Sequence, residues 1–442
     1  MNIKTISNFI KIKTRQHLKH NILYLRATIH IARYFIFKNY RKKRCLVDPP
    51  MSFFYKYGKL ANYFSIPLKA FAKYLKKKNI FISINNDCNS SIGHIYAEIG
   101  LIHRMQKLDN RYIGSKVWFL SSRKDILVET KDIFENKNFR IFFGGIKRIL
   151  LIFVATNNPS ISIDGSIGHA NYIKRINNTD FHVFDQLPRQ RAKLIKKDQN
   201  FYPNKDKLIN YEKAKCELLK KLNIKKKYII IQTKPYRANG TLEPLRPDLF
   251  LKTIDYFQNK DYQVVFAGRE KLPKIFFKKS IIDYANSEFA SAINDYILVG
   301  NCTLVLASAS GFCFLPESLD KPLLIINAHH ISQHSGRRTI YLPTLLSRRS
   351  IPFTASMQHH YLCTYGKRCG YFTFDDLYIL HAPTSEEIYM AAKELEEMLK
   401  DKIPAYTALQ KSISKDSKCP LIGDGLSRIS NYFLKKHKNF FI

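Results

Sequence analysis

Residues 302–327 read CTLVLASASGFCFLPESLDKPLLIIN. The stretch opens on an apolar run at 302–308, turns through Ser308-Ala309-Ser310-Gly311, and continues in helical spacing over 312–319. A second apolar run follows at 323–327. Short continuous apolar runs bounded by small residues are the pattern of strands buried on both faces. Strand, tight turn, helix and strand together read as part of a parallel α/β sheet with right-handed crossovers. The same alternation extends toward the N-terminus. Strands are read at 228–232 (YIIIQ), 263–268 and 281–283, with helices at 247–258 and 287–297. Pro247 stands where a helix start tolerates its missing N–H. Further back, runs at 80–84 (IFISI), 117–120, 140–143 and 160–163 read as four strands of an earlier α/β series, with a helix over 95–105. Residues 386–400 have the spacing of an amphipathic helix. The expected fold class is α/β, in two domains each built on a mainly parallel sheet. The expected divisions are a basic helical extension at 1–77, domains at 78–205 and 206–385, and C-terminal helices with a basic tail at 386–442. The polar, charged stretch 186–210 reads as the connection.

At 442 residues the chain suffices for two or three domains. Its 45% apolar and 13% aromatic content excludes a disordered polymer. Lys and Arg number 73 against 35 Asp and Glu, giving +38. That excludes an acidic solvating protein and calls for anionic partners: phosphates, anionic lipid or nucleic acid. Residues 1–44 hold 12 basic residues and no acid, yet the remainder is still basic, 61 against 35. A chain rich in Lys, Asn and Ile is also what AT-rich coding produces. The eight cysteines show no dense framework, which fits a reduced cytosolic setting. No uncharged apolar run reaches the ~18 residues of a spanning helix. The stretch 21–37 is interrupted by Arg26, His30 and Arg33 and is followed by no small-residue cleavage site, so it does not read as a secretory signal. Ile22, Leu25, Ile29, Ala32, Phe35 and Ile36 fall on helical spacing there, beside the basic run 41–44. Such a helix suits an anionic membrane surface or, in the ordinary reading, packs on the protein body. The expected location is the cytoplasm, peripheral on the inner face of the cell membrane.

In open parallel sheets, ligands bind beyond the carboxyl ends of the strands. After 228–232 come Lys234 and Arg237 in a Gly/Pro-containing loop, suited to phosphate oxygens. After 263–267 come Gly268 and Arg269. After 302–307 come Ser308, Ser310 and Gly311, and then a helix start whose free N–H groups would face a diphosphate. Glu317 lies on that helix, where a carboxylate would accept ribose hydroxyls. Each loop read alone is equally a tight strand–helix turn; three in one sheet point to a nucleotide site. In the earlier series the polar loop 85–91 leads to Gly93 and His94, with Glu98 four residues on and therefore on the same helical face. A His at a helix start can act as general base and a carboxylate can orient it, although a His there also serves simply as a cap. Asp87 is the next candidate base.

The segments 281–287 (IIDYANS), 294–298 (NDYIL), Ser310-Gly311 with Pro316, and Asp320-Lys321-Pro322 with Asn327 resemble a family of uncharacterised bacterial glycosyltransferases. So do 264–269 (VVFAGR) and the loop Ile92-Gly93-His94 with Glu98. The resemblance covers about residues 80–400, is best over 228–330, and extends at the Ser-Gly turn to heptosyltransferases. Arg269 stands where an acidic residue is the family pattern. The resemblance implies a GT-B enzyme of surface-carbohydrate or lipopolysaccharide synthesis, with two facing Rossmann-like domains. It implies a nucleotide-sugar donor bound by Lys234, Arg237, Gly268, Arg269, Asp283, Tyr284, Ser308, Ser310, Gly311 and Glu317. The acceptor would be a glycan or lipid-linked hydroxyl, with His94 and Glu98 catalytic. No cofactor and no metal are expected, the nucleotide-sugar being a substrate. A non-catalytic carbohydrate- or nucleotide-binding protein of the same fold is the alternative.

Two other classes are weighed against this. His329, His330 and His334, and His359, His360, Cys363 and Cys369, are candidate metal ligands, but they lack the close Cys pair of a structural zinc site and the Glu of a metalloprotease helix. The spread of the basic residues, with no recognisable module, gives no specific nucleic-acid partner.

Overall fold

The computed structural model describes residues 65–84, 92–121, 124–143, 150–152, 154–155, 158–163, 194, 197, 210–233, 246–268, 270–328, 336–348, 351–352, 378–399, 403–416 and 427–438. These divide into two compact units, which do not follow chain order. One holds the described residues before 89 and those of 115–124 and 135–163; the other holds those of 92–114 and 125–134 and all from 194 onward.

The first unit is built on three parallel strands, β1 (Ile80–Ile84), β2 (Lys116–Ser121) and β3 (Phe139–Phe143), in that order. Helix α1 (Ser65–Lys77) packs Ala72 and Leu75 against Ile80, Ile82, Ile84 and Leu120. Leu151, Ile152, Val154, Ala155 and Ile161 complete that core. The fourth strand expected at 160–163 is not one. Pro159–Ile161 is a 3-10 turn, and only Ser162 bridges Ile82. Pro159 cannot donate to a ladder, and the Ser162 hydroxyl turns back to the Ala155 carbonyl at 2.9 Å.

The second unit carries a seven-stranded sheet whose neighbours are all parallel. Its strands are β4 (Tyr228–Gln232), β5 (Gln263–Phe266), β6 (Ile282–Asp283), β7 (Val305–Ser308), β8 (Leu323–Ala328), β9 (Thr339–Pro343) and β13 (Arg428–Ile429), in the order β13-β9-β8-β7-β4-β5-β6. Every residue of β4, β7 and β8 is buried, which is why these strands read as unbroken apolar runs. The chain starts the sheet at β4, builds outward through β5 and β6, then returns to β4's other side for β7, β8 and β9. That is the doubly-wound order, with its direction reversing between β4 and β7. A small antiparallel sheet of β10 (Leu345–Arg348), β11 (Ile351–Pro352) and β12 (Tyr378–His381) follows.

Helices α2 (Ile92–Leu108), α3 (Lys124–Phe134), α4 (Tyr211–Lys221), α5 (Leu251–Asn259), α6 (Ala292–Asn301), α7 (Phe314–Ser318), α8 (Ser385–Glu397), α9 (Ala408–Asp416) and α10 (Asn431–Lys436) accompany the sheets. The helix expected from 287 begins later, at Ala292. Ser291 is extended and its hydroxyl accepts the Asn294 N–H at 3.2 Å, so the cap fixes the start. The strand expected from 302 begins at Val305, because the Cys302 N–H still closes α6 on the Leu298 carbonyl. Helix α8 starts with a capping box between Thr384 and Glu387 and packs on α5, β8 and β9. It also holds α10: Glu394 accepts from the Ser430 hydroxyl and from the Asn431 and Tyr432 N–H groups. No helix among the described residues is long and apolar enough to cross a membrane. The basic segment 1–44 and the stretch 21–37 lie outside the described residues.

Candidate functional site

The order of the sheet directs attention to the carboxyl ends of β4 and β7, where an open α/β sheet parts its two halves. Strand β4 ends on Gln232, a buried amide closing an otherwise apolar strand. Its Oε1 accepts from the Ser310 hydroxyl at 3.4 Å, across the β4–β7 reversal, and its Nε2 donates to the Thr233 carbonyl at 3.3 Å. On the other side, Gln232 meets the end of β5. Gly268 there has φ +114°, and a Cβ on it would come within 3.0 Å of Gln232 Cγ and 2.6 Å of Glu270 Oε2. Glycine is required at this position for both conformation and space. Gln232 therefore joins three strand ends. In the sequence, Gly268 and Ser310 stand out as turn residues and Gln232 does not; its one signal is a polar residue ending the run YIIIQ.

Ser308 ends β7 and is buried. Ser310 is extended and caps the turn that follows, its hydroxyl oxygen accepting the Phe312 N–H at 3.3 Å. Gly311 opens a 3-10 turn, Gly311–Cys313, that runs directly into α7. Two N–H groups expected to be free here are engaged internally, Phe312 on the Ser310 hydroxyl and Cys313 on the Ser310 carbonyl. A ligand phosphate would have to displace the serine to reach the first of them.

Glu317 does not join this group. Its Cγ lies 2.9 Å from a Cβ built on Gly336, beside Thr339, where β9 begins. That is the amino edge of the sheet, opposite Ser310, because α7 has already carried the chain down toward β8. Asp283 and Tyr284 stand at the end of edge strand β6, two strands from β4. The Asp283 carboxylate accepts from the Asn286 backbone and amide, and the Asn286 amide reaches the Glu270 carbonyl at 3.3 Å. The Tyr284 ring is fully buried and its hydroxyl donates to Asp295 at 2.9 Å. Both shape the turns after β5 and β6.

His94 lies in the first turn of α2, which packs against the Gly311–Cys313 turn and α7. Within this unit, then, the helix bearing His94 adjoins the turn bearing Gly311. Tyr96 anchors α2, with its ring 4.7 Å from Phe134 and 6.2 Å from Tyr296. Glu98 is buried in the same helix. Lys234, Arg237, Arg269, Asp87 and the His/Cys clusters at 329–334 and 359–369 lie outside the described residues. Among the described residues, no group of three His, Cys, Asp or Glu is gathered as metal ligands would be.

No family model matches the chain, and no curated protein matches it by sequence. Among solved structures it is similar to a glycosyl transferase family 9 protein from Veillonella parvula DSM 2008, at 13% identity and a TM-score of 0.40, over 72% of this chain and 96% of that one. It is similar to the E. coli ADP-heptose LPS heptosyltransferase II at 12% identity and a TM-score of 0.38, over 60% and 89%. It is similar to the E. coli heptosyltransferase WaaC, solved with ADP, at 9% identity and a TM-score of 0.37, over 60% and 93%. These are likenesses of low identity and low TM-score, and the functional reading rests on the chain's own strand order and residues.

Proposed function

We propose that the protein is a glycosyltransferase that moves a sugar from a nucleotide-sugar donor to a hydroxyl of a surface-glycan or lipid-linked acceptor. The observation that carries the reading is the reversal between β4 and β7, with Gln232, Ser310 and Gly268 converging at it. The sequence resemblance narrows a general nucleotide site to this chemistry. In the proposed reaction, the acceptor oxygen forms a bond to the anomeric carbon as the bond to the diphosphate breaks. The hydroxyl proton passes to a base, and the nucleoside diphosphate leaves. His94 is assigned as the base, and buried Glu98, one turn on, as a positioning residue. Lys234, Arg237 and Arg269 are assigned to the leaving diphosphate at the Ser310-Gly311 turn, so the reading allots that charge to cations of the chain rather than to a metal. Attachment to an anionic membrane through 1–44 belongs to the same reading, because it would bring the enzyme to a lipid-linked acceptor.

A thermal-shift series with adenosine, uridine, guanosine and cytidine diphosphates and their sugar conjugates tests the donor site. A ligand at 100 times its Kd adds about 2.7 kcal/mol of stability. Gly311→Val should abolish that gain by filling the space the diphosphate needs, and undiminished affinity in the variant would move the site elsewhere. His94→Ala should lower turnover by about 10²–10⁴ with donor affinity unchanged. Binding without any transfer or hydrolysis would favour the non-catalytic alternative.

A further inference from the structure

Helix α1 has one face in a core and one face in water. Leu68, Ala72 and Leu75, at i, i+4 and i+7, point into the core of the three-stranded sheet. At 100° per residue, Phe71 and Tyr74 occupy one shoulder of the outward arc. Ala70, Lys77 and Lys73 come next around the arc, and Lys69 and Lys76 form the other shoulder. Phe71 is 39% exposed and Tyr74 52%, and their rings lie nearly parallel with centroids 6.2 Å apart. All four lysines on the arc, and Lys78 just beyond it, are exposed. The charge context is extreme. Beyond the twelve basic residues of 1–44, the chain up to residue 86 adds Lys56, Lys59, Lys69, Lys73, Lys76, Lys77 and Lys78, against the single acid Asp48.

We infer that α1 is a docking face for an anionic lipid bilayer. The helix lies flat, the Phe71 and Tyr74 rings enter the headgroup layer, and the lysines reach lipid phosphates. Aromatic rings favour that interfacial depth, and lysine stems lie along apolar surface while their ammonium groups stay with the anions. All seven basic residues between 45 and 86 are lysines, without the arginine forks that nucleic-acid faces favour. A second exposed aromatic-basic site, Ile275 and Phe277 among Lys274, Lys278 and Lys279, is shorter, and its Lys279 is held by Asp255 at 2.5 Å. The inference stands on the exposed face of α1 and on the lysine-rich composition of 45–86. It is independent of the transferase chemistry and of the basic run 41–44.

The test is sedimentation of the full-length protein with vesicles of phosphatidylcholine, alone and mixed with phosphatidylglycerol, at low salt. Binding should require phosphatidylglycerol. Each lysine removed should weaken it roughly fivefold, so that Lys73→Gln with Lys77→Gln costs about 25-fold. Phe71→Ser with Tyr74→Ser should cost roughly tenfold. Neither pair should change the melting temperature or the stabilisation by nucleotide, which separates failure here from failure of the proposed function. If the aromatic pair unfolds the protein, the lysine pair decides. Neutralising Arg41, Lys42, Lys43 and Arg44 to Gln should leave binding that still responds to the α1 substitutions. Wild-type sedimentation of both α1 variants overturns the inference. So does α1-dependent binding to duplex DNA without vesicle binding, which would make this a nucleic-acid face.

Discussion

The two edges of the seven-stranded sheet are both polar, and they are held quite differently. At the amino edge, Asp320 leads into β8 and takes the Arg337 guanidinium in a two-pronged pair, at 2.9 and 3.1 Å from Nε, with a further short contact from Nη2. Arg338 binds the Met398 carbonyl at 2.5 Å, Lys321 the Cys302 carbonyl at 3.1 Å, and the Tyr228 hydroxyl the Leu298 carbonyl at 2.6 Å. Burial pushes the Tyr228 hydroxyl pKa up, and the Cys302 thiol up to about 12, so neither ionises near neutrality. At the carboxyl edge, the bonds among Ser310, Gln232, Thr233 and Phe312 are 3.3–3.4 Å, at the long end of the useful range. One edge uses its polar groups to close the fold. Where β4 and β7 part, the other keeps small and neutral side chains in long mutual contacts that a ligand can replace, while its outer strand ends are fastened by Asp283 with Asn286 and by Thr344 with Asn327.

Substitutions can break that contrast in a graded way. The largest effect is expected at Gly268. Valine there meets a strained φ and two atoms within 3.0 Å, so Gly268→Val should lose about 2–4 kcal/mol of stability in urea titrations, together with nucleotide affinity. An unchanged urea midpoint would mean that the turn after β5 is free to rearrange. At the opposite edge, Asp320→Asn should cost about 1–3 kcal/mol by leaving Arg337 without its carboxylate. Nucleotide affinity should stay level, and a loss of affinity would show that the two edges are coupled.

Acid sharpens the contrast further. Burial alone would raise the Glu387 pKa. Hydrogen bonds from His437, Lys436 and the Thr384 N–H outweigh that and hold the carboxyl down at about 2. The unfolded chain therefore binds the proton more readily. This stability is complete above about pH 4.5 and is lost as the pH falls toward 2. Gln232, Ser310 and Gly268 themselves carry no titrating group, so this loss of stability belongs to the closure of α8 and α10 and not to those three residues. Glu387→Gln should flatten the melting temperature between pH 4.5 and 2; an undiminished slope would assign it to other carboxylates. The smallest effect is expected from Ser310→Ala, about 1 kcal/mol for a lost cap. A nucleotide that binds the alanine variant more tightly than wild type would show that the serine occupies the Phe312 N–H that the phosphate needs.

The sequence made the interior of the sheet legible because burial on both faces leaves strands such as YIIIQ and LLIIN without polar interruptions. Residues 339–343 and 428–429 escaped notice. The first strand is short and follows the histidine-bearing segment 329–334 rather than a pattern of alternating strand and helix, and the second is two residues long and paired with a partner far away in the chain. At the site, small residues and glycines marked Gly268 and Ser310 correctly as turns. Glu317 was misplaced because counting along a helix from Gly311 does not show how soon that helix reaches the other edge. Gln232 carries no mark in the sequence, because a neutral amide gains its role only from the strand ends on either side of it.

The late pairing of β13 with β9 bears on how the protein is made. Arg428 and Ile429 complete the sheet beside Ile340 and Tyr341. Among the described residues no other segment pairs with the outer side of β9, so during synthesis that side waits for residues 428–429. An open parallel edge invites pairing with other chains. Nascent chains stopped between 343 and 428 should then depend on chaperones more than the finished protein does, and release from that dependence should coincide with the arrival of a dipeptide.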